Sequence, residues 1–352
     1  MKALTVIPLR ADSASVVDLP DPSPGPGELL VEGLALGVCG TDIEIVGGEY
    51  GWAPPGEERL VLGHESLGRV ASVDAAPESG FSVGDLVVGV VRRPDPVPCG
   101  ACGAGQFDMC LNGEYTERGI KQIHGYGSTM WTVEADYAVR LDASMESVGM
   151  LMEPTTIVAK AWDHIGKIAD RAYTEQKRVL VTGAGPIGLL AALLGSQRQL
   201  EVHVLDRVIE GVKPALVRDL GATYHHDSIA DAIGVCQPDV IIEATGVGQL
   251  VFDAMSNTRP GGIVCLTGVS PTGRELTVDA GAVNRELVLE NDVVFGSVNA
   301  NLGHYEMARE ALAAADRSWL ERLITRRVPL SQFSDALDRR DDDVKVVIDL
   351  AA

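Results

Sequence analysis

No stretch of these 352 residues is apolar for long enough to cross a bilayer, a passage that takes about 20 residues as a helix. The run at residues 187–194 stops far short of that, and Pro8 and Arg10 interrupt the one near the start. Neither resembles a secretory leader, so a cytoplasmic chain with no membrane partner is expected. Basic residues are also scarce: 29 Lys and Arg face 50 Asp and Glu, for a formal net charge of -21. Such a field repels a phosphate backbone, and nucleic-acid binding is not expected. The same acidity favours solubility; a salty cytoplasm and an acid-biased proteome both produce it. Internal repeats are missing too, and the serines and histidines suggest no hydrolytic triad.

What is present suffices for a large core. Apolar residues make up 46% and charged residues 22%, an ordinary balance for a folded chain. The length exceeds what one core usually serves, so two domains are expected. Up to about residue 139, short β-like runs such as residues 28–32 and 86–91 are broken by Gly and Pro clusters, the pattern of an irregular, mostly antiparallel domain. The Pro-rich residues 21–27 read as a turn-rich loop between strands. From about Lys177 the pattern changes, and apolar runs at 178–182, 201–205, 239–243 and 262–266 alternate with helical stretches. That alternation implies a doubly wound α/β unit with a parallel sheet. Residues 306–315 suggest a helix and 345–350 a last strand.

Residues 179–188, VLVTGAGPIG, run from a buried strand through a glycine-rich turn into a helix, the context in which such a turn signals a dinucleotide. Gly183 permits the turn, Gly185 lets the backbone approach a pyrophosphate, and Gly188 lets the helix close on the strand. The helix N-terminus adds unpaired N–H groups for the phosphates. A second strand ends at Asp206, about where a ribose-binding carboxylate is expected. Asp206 favours NAD by accepting from the ribose diol and repelling a 2′-phosphate; Arg207 either pairs with that phosphate, allowing NADP, or stacks on the adenine.

Cys39 and His64 supply a thiolate and an imidazole, ligands that suit zinc, and Glu153 offers a third donor, leaving a fourth position for water or substrate. Glu65 is either a transient ligand or a partner that orients the site. Six cysteines are present, and Cys99, Cys102 and Cys110 crowd into one segment with C-x2-C-x7-C spacing, which in a reducing compartment reads as a possible second, structural zinc site before it reads as disulfides. Asp95 and Asp108 are nearby candidates for its missing ligand. Cys236 and Cys265 read as core residues, and the adjacent His225 and His226 as side chains that diverge.

Residues 37–42 (GVCGTD), 63–65 (GHE) and 183–188 (GAGPIG) resemble the medium-chain, zinc-containing alcohol dehydrogenase superfamily. Residues 115–120 (YTERGI), 152–154 (MEP), 279–282 (DAGA) and 296–299 (GSVN) resemble its glucose 1-dehydrogenase branch, and the likeness runs through nearly the whole chain. The resemblance implies a GroES-like, mostly β catalytic domain, residues 1–160 and 300–352, and a Rossmann domain, residues 161–299. It places Cys39, His64, Glu65 and Glu153 around a catalytic zinc, with Thr41 touching substrate oxygens and Glu117, Glu153 and Asn299 holding sugar hydroxyls. Structural relatives with a second zinc carry a fourth cysteine where this chain has Pro96. His304 is either a further sugar contact or a surface histidine at a helix start.

For the cofactor the resemblance implies Gly183, Ala184, Gly185, Pro186, Ile187 and Gly188 on one side and Asp206, Arg207 and Val208 beside them. Thr245, Gly246, Thr267, Gly268, Val269, Ser297, Val298 and Asn299 complete the lining. The implied reaction is zinc-dependent oxidation of an aldose, D-glucose first, at C1 to the lactone, with NAD preferred and NADP possible, in a homo-oligomer of two or four chains. The alternatives are a related polyol or alcohol dehydrogenase and a non-catalytic nucleotide-binding relative.

Overall fold

The computed structural model describes residues 1–173 and 175–351. Contacts divide the chain into two compact units, Met1–Glu153 with Ala300–Arg309 and Leu323–Ala352, and Pro154–Asn299 with Glu310–Arg322. Two segments depart from the expected division. Helix Met152–Ala169 is continuous, so the boundary falls in its first turn and not at residue 160. Residues Glu310–Arg322 join the second unit, where the Trp319 indole donates to Leu216 O at 2.9 Å and Gln197 donates to Ala311 O at 2.8 Å.

The first unit is built on the long strand Glu28–Val38. Its early half buries alternate residues, Leu29 and Val31 among them, against a core that includes Leu4, Val6, Leu60, Val70 and Ile348, the period of a strand with one wet face. Strand Glu65–Ser72 pairs antiparallel along one side, and Met130–Glu134 and then Lys345–Asp349 take successive halves of the other. The register sets Glu65 opposite Gly37 and Val346 opposite Val38. The loop 21–27 lies between strands Ser15–Asp18 and Glu28–Val38.

The second unit is a six-stranded parallel sheet. From one edge its strands run Thr223–His225, Glu201–Leu205, Arg178–Thr182, Val240–Glu243, Ile263–Leu266 and Val293–Gly296. The central strands are fully buried through Val179, Leu180 and Val181 and through Val240, Ile241 and Ile242, because helices cover both faces of a sheet of this kind. Helix Pro186–Gln197 starts with proline, whose missing N–H costs nothing there. Strand order reverses between Arg178–Thr182 and Val240–Glu243, and a crevice for a ligand opens at the carboxyl ends of strands at such a point. No helix among the described residues is long and apolar enough to cross a membrane.

Candidate active site and dinucleotide cleft

Strand Glu28–Val38 delivers Cys39 to the N-cap of helix Gly40–Val46. The Cys39 Sγ accepts the Thr41 N–H at 3.3 Å, and the Asp42 carboxylate accepts the Cys39 N–H at 2.9 Å, a reciprocal cap that fixes both side chains. Both face His64, which precedes strand Glu65–Ser72. Cys39 Sγ lies 3.0 Å from His64 Nε2, and Asp42 Oδ1 lies 3.4 Å from His64 Nδ1. Burial opposes charge on the ring, but the Cys39 sulfur and the Asp42 carboxylate outweigh it and hold the His64 pKa well above its usual 6.5.

Glu65 lies beside this pair in space that a side chain on Gly37 would occupy: a Cβ there would meet Glu65 Oε2 at 2.0 Å. Lys345, at the start of the last strand, donates to both Glu65 oxygens at 2.6 Å and to Val38 O at 3.1 Å. The two side chains are 1% and 2% exposed, so each charge depends on the other for its neutralisation. Cys39, His64 and Glu65 present a sulfur, a ring nitrogen and a carboxylate oxygen within 4.8 Å of one another. Glu153, in the first turn of helix Met152–Ala169, borders them. Burial pushes its pKa up to about 7; the His64 and Lys345 charges oppose the rise and Glu65 adds to it. Thiolate, imidazole and carboxylate are the usual zinc ligands. Asp42 stands 3.4 Å from the far ring nitrogen, the position from which ligating histidines are commonly supported.

Glu117, expected to hold a sugar, is buried and accepts from Arg92 Nε at 3.1 Å and Nη2 at 3.0 Å. His304 opens the first turn of helix Leu302–Ala313, but it is 4% exposed. The surface-histidine reading is therefore corrected: Asn301 N–H donates to His304 Nδ1 at 3.2 Å, and Asp108 lies 4.0 Å from that nitrogen.

Cys99, Cys102 and Cys110 converge within 4.8 Å. Cys99 caps the short helix Gly100–Gly103 and accepts from the N–H groups of Cys102 at 3.5 Å and Leu111 at 3.3 Å. Those donors lower its pKa to about 6, while burial pushes Cys102 up to about 11. Neither expected oxygen donor joins them. Asp95 accepts from Val97 N–H at 2.8 Å and from Asn112 at 2.6 Å, and Asp108 accepts from Asn301 at 2.8 Å. Cys236 and Cys265 are buried as expected, and burial pushes both thiols up to about 12. His225 and His226 do diverge: the first stacks on His203 with ring centroids 5.1 Å apart, and the second faces Asp227.

In the second unit the turn after strand Arg178–Thr182 runs through Gly183, Ala184 and Gly185 into helix Pro186–Gln197, with Ile187 in its first turn. A Cβ on Gly188 would stand 1.8 Å from Gly183 O, so the helix approaches the turn as closely as it does only with glycine there. Asp206 closes strand Glu201–Leu205, and its carboxylate accepts the Ala184 N–H at 2.7 Å and the Val208 N–H at 3.0 Å. Arg207 beside it is exposed. Thr245 and Gly246 follow strand Val240–Glu243, Thr267, Gly268 and Val269 follow Ile263–Leu266, and Ser297, Val298 and Asn299 follow Val293–Gly296. All three groups stand at carboxyl ends of parallel strands, where the crevice opens.

Four organising residues are ones that sequence reasoning misses. Asp42, Lys160, Glu243 and Lys345 are all buried. Asp42 had a local signal, the capping spacing that places a carboxylate three residues after the cap. Lys160 holds Val298 O at 2.9 Å, and its partner lies 138 residues away. Lys345 and Glu65 are 280 residues apart. An isolated charge in an apolar strand such as residues 345–350 is the one hint the sequence offers of such a partner.

Known proteins share this architecture. Residues 25–143 match the family model of the alcohol dehydrogenase GroES-like domain, and residues 146–350 match that of the glucose dehydrogenase C-terminus. A GroES-like domain followed by a Rossmann-type sheet is the medium-chain alcohol dehydrogenase arrangement. Glucose 1-dehydrogenase of Methanocella arvoryzae is 41% identical, with 100% of both chains covered, and that of Thermoproteus tenax is 37% identical, with 99% of each covered. Among solved structures, Haloferax mediterranei glucose dehydrogenase in complex with NADP, Zn and gluconolactone aligns with a TM-score of 0.91 at 35% identity, covering 100% of each chain. The chain belongs to the glucose 1-dehydrogenase family.

Proposed function

We propose that the protein oxidises an aldose, D-glucose first, at C1 to the lactone and passes the electron pair to NAD(P), with zinc held by Cys39, His64 and Glu153. The observation that carries this reading is the 3.0 Å approach of Cys39 Sγ to His64 Nε2, with the Glu65 oxygen in the same cluster and Glu153 alongside. When bound, the ion supplies Lewis acidity that eases loss of the C1 hydroxyl proton, and the oxidised nicotinamide supplies the two-electron acceptor. The chain's own groups do the rest. Asp42 fixes the imidazole, Thr41 orients the substrate oxygen, and Lys345 keeps Glu65 turned toward itself. The proton leaving the C1 oxygen passes to a buried carboxylate of this cluster, Glu65 or Glu153, or to bound water. Glu117, its carboxylate pinned by Arg92, and His304 orient the remaining hydroxyls.

The Asp206 argument for NAD finds no support in the Haloferax mediterranei relative, whose structure holds NADP. Use of both dinucleotides is the reading proposed, with the glycine turn and Asp206 on the adenosine side. A second, structural zinc at Cys99, Cys102 and Cys110 is part of the proposal; the N–H donors to the Cys99 sulfur favour its thiolate form. So is self-association in a cytoplasmic setting, which the edge strand Val293–Gly296 and the exposed Val288 and Leu289 support. Gel filtration with light scattering tests the assembly. The activity is tested by following nicotinamide reduction with a panel of aldoses and polyols, with each dinucleotide, before and after chelation. Aldose oxidation that is lost on chelation and restored by zinc is expected. Polyols outrunning every aldose, or full activity without metal, would overturn the reading.

A further inference from the structure

Strand Val240–Glu243 ends beside the strand-order reversal with Glu243 fully buried. Its Oε1 accepts the Thr182 hydroxyl at 3.1 Å across that reversal, the Thr245 N–H at 2.8 Å and the Thr245 hydroxyl. Its Oε2 accepts the Gly246 N–H at 3.1 Å. The same residue's main-chain oxygen accepts Thr267 N–H at 2.8 Å, Gly268 N–H at 3.0 Å and the Thr267 hydroxyl at 2.8 Å. One residue therefore ties together the ends of three neighbouring strands. Loop 267–269 closes directly over the carboxylate: a Cβ on Gly268 would lie 2.7 Å from Glu243 Oε2 and 2.1 Å from Gly246 N. All of these donors are neutral, and among the described residues no Lys, Arg or His pairs with Glu243. A carboxylate can accept about four hydrogen bonds, and here it receives that many, with no cation beside it.

We propose that Glu243 is the positioning residue for the nicotinamide half of the cofactor cleft. The proposal rests on the dinucleotide reading given above. A dinucleotide laid across a strand-order reversal puts one nucleoside on each side of it. The glycine turn and Asp206 stand on the side of strand Glu201–Leu205 and take the adenosine half. The other half falls to the side of strands Val240–Glu243 and Ile263–Leu266, whose following loops are the ones Glu243 ties. Glu243 bonds neither Asp206 nor the Ala184 N–H; its one hydrogen bond to the glycine-turn side is the Thr182 hydroxyl, and the rest go to the loops after strands Val240–Glu243 and Ile263–Leu266, so its loss acts chiefly on that half of the cleft. Glutamine has nearly the same shape but replaces one acceptor by a donor. Either Gly246 N–H then meets another N–H, or the amide flips and the Thr182 and Thr245 donors lose theirs.

The test is titration of the full-length protein with NADP+, NAD+ and ADP. For Glu243→Gln the dissociation constant for the dinucleotides rises about tenfold, as expected for one or two hydrogen bonds lost without collapse. The constant for ADP, which lacks the nicotinamide half, stays within about twofold. Equal weakening of ADP and dinucleotide would mark Glu243 as a general structural support and overturn the proposal, as would unchanged dinucleotide binding. Should Glu243→Gln not fold, Thr245→Val removes the hydroxyl donor while keeping the carboxylate and both N–H bonds, and the same split, of about threefold, is expected. A wild-type protein that binds neither dinucleotide would sink the dinucleotide reading itself, a different result from either variant outcome.

Discussion

Two buried carboxylates sit at the strand ends that shape the two halves of this chemistry, and they are stabilised in opposite ways. Glu65 is neutralised by a full positive charge, the Lys345 ammonium, which reaches both of its oxygens from a strand near the end of the chain. Glu243 has only hydroxyl and backbone donors, all within 61 residues of it. The difference follows from what each region must hold. Around Cys39 and His64 the Asp42, Glu65 and Glu153 carboxyl groups crowd into one buried cluster, so the Glu65 carboxylate there needs a dedicated cation. At the strand ends of the second unit every donor to Glu243 is a neutral hydroxyl or backbone N–H, so the carboxylate serves as a neutral-donor hub.

The strongest way to break this comparison is Lys345→Met. It leaves Glu65 buried without its cation and is expected to cost about 3–5 kcal/mol in a urea unfolding curve. Adding Glu65→Gln should recover most of that loss. A double variant no better than the single one would show that the ammonium acts by packing and not by charge.

On the second unit, Gly188→Ala puts a methyl where only 1.8 Å separates it from Gly183 O. The shift this forces is expected to cost about 1–3 kcal/mol of stability and to weaken dinucleotide binding. Calorimetric titration of the purified variant checks it; wild-type affinity would mean the turn is more pliant than the packing implies.

A third test asks whether charge pairing is the rule through the first unit. Burial tends to raise the Glu134 pKa, but Arg93 and Arg118 outweigh burial and lower it from 4.5 to about 2. Their contacts are 2.7 Å and 3.2 Å. A carboxyl with a depressed folded pKa stabilises the fold above its unfolded pKa, and that contribution disappears as pH falls from about 4.5 to about 2. Chemical denaturation of wild type and Glu134→Gln across this window should show the wild type losing more stability on acidification. Parallel curves would argue against the pairing. The smallest effect is expected from Asp206→Ser, which removes a negative charge beside the candidate ribose site and should shift the ratio of NADP to NAD use upward by about fivefold in kcat/KM. An unchanged ratio would remove Asp206 from cofactor choice.

The local parts of the site are legible in the amino-acid sequence. The turn at 183–188, Asp206 and the pair Cys39 and His64 stand in short motifs whose residue types already state their chemistry, and the family assignment agrees with them. Less visible is which of two roles a residue takes. His304 is buried against Asn301 and Asp108, and Asp95 and Asp108 are engaged away from the three thiols. Those outcomes depend on partners that approach through folding, with Asp108 and Asn301 193 positions apart.

The order of apolar and polar residues by itself determined the alternation of strand and helix, the glycine turn and the reactive side-chain types, because each is a property of a few consecutive residues. Only tertiary structure decided that Lys345 answers Glu65, that Glu243 gathers three strand ends, and that residues Glu310–Arg322 go with the second unit. The physical reason is desolvation: a buried charge or hydrogen-bonding group must find its complement wherever the fold brings one, and sequence distance places no limit on where that is.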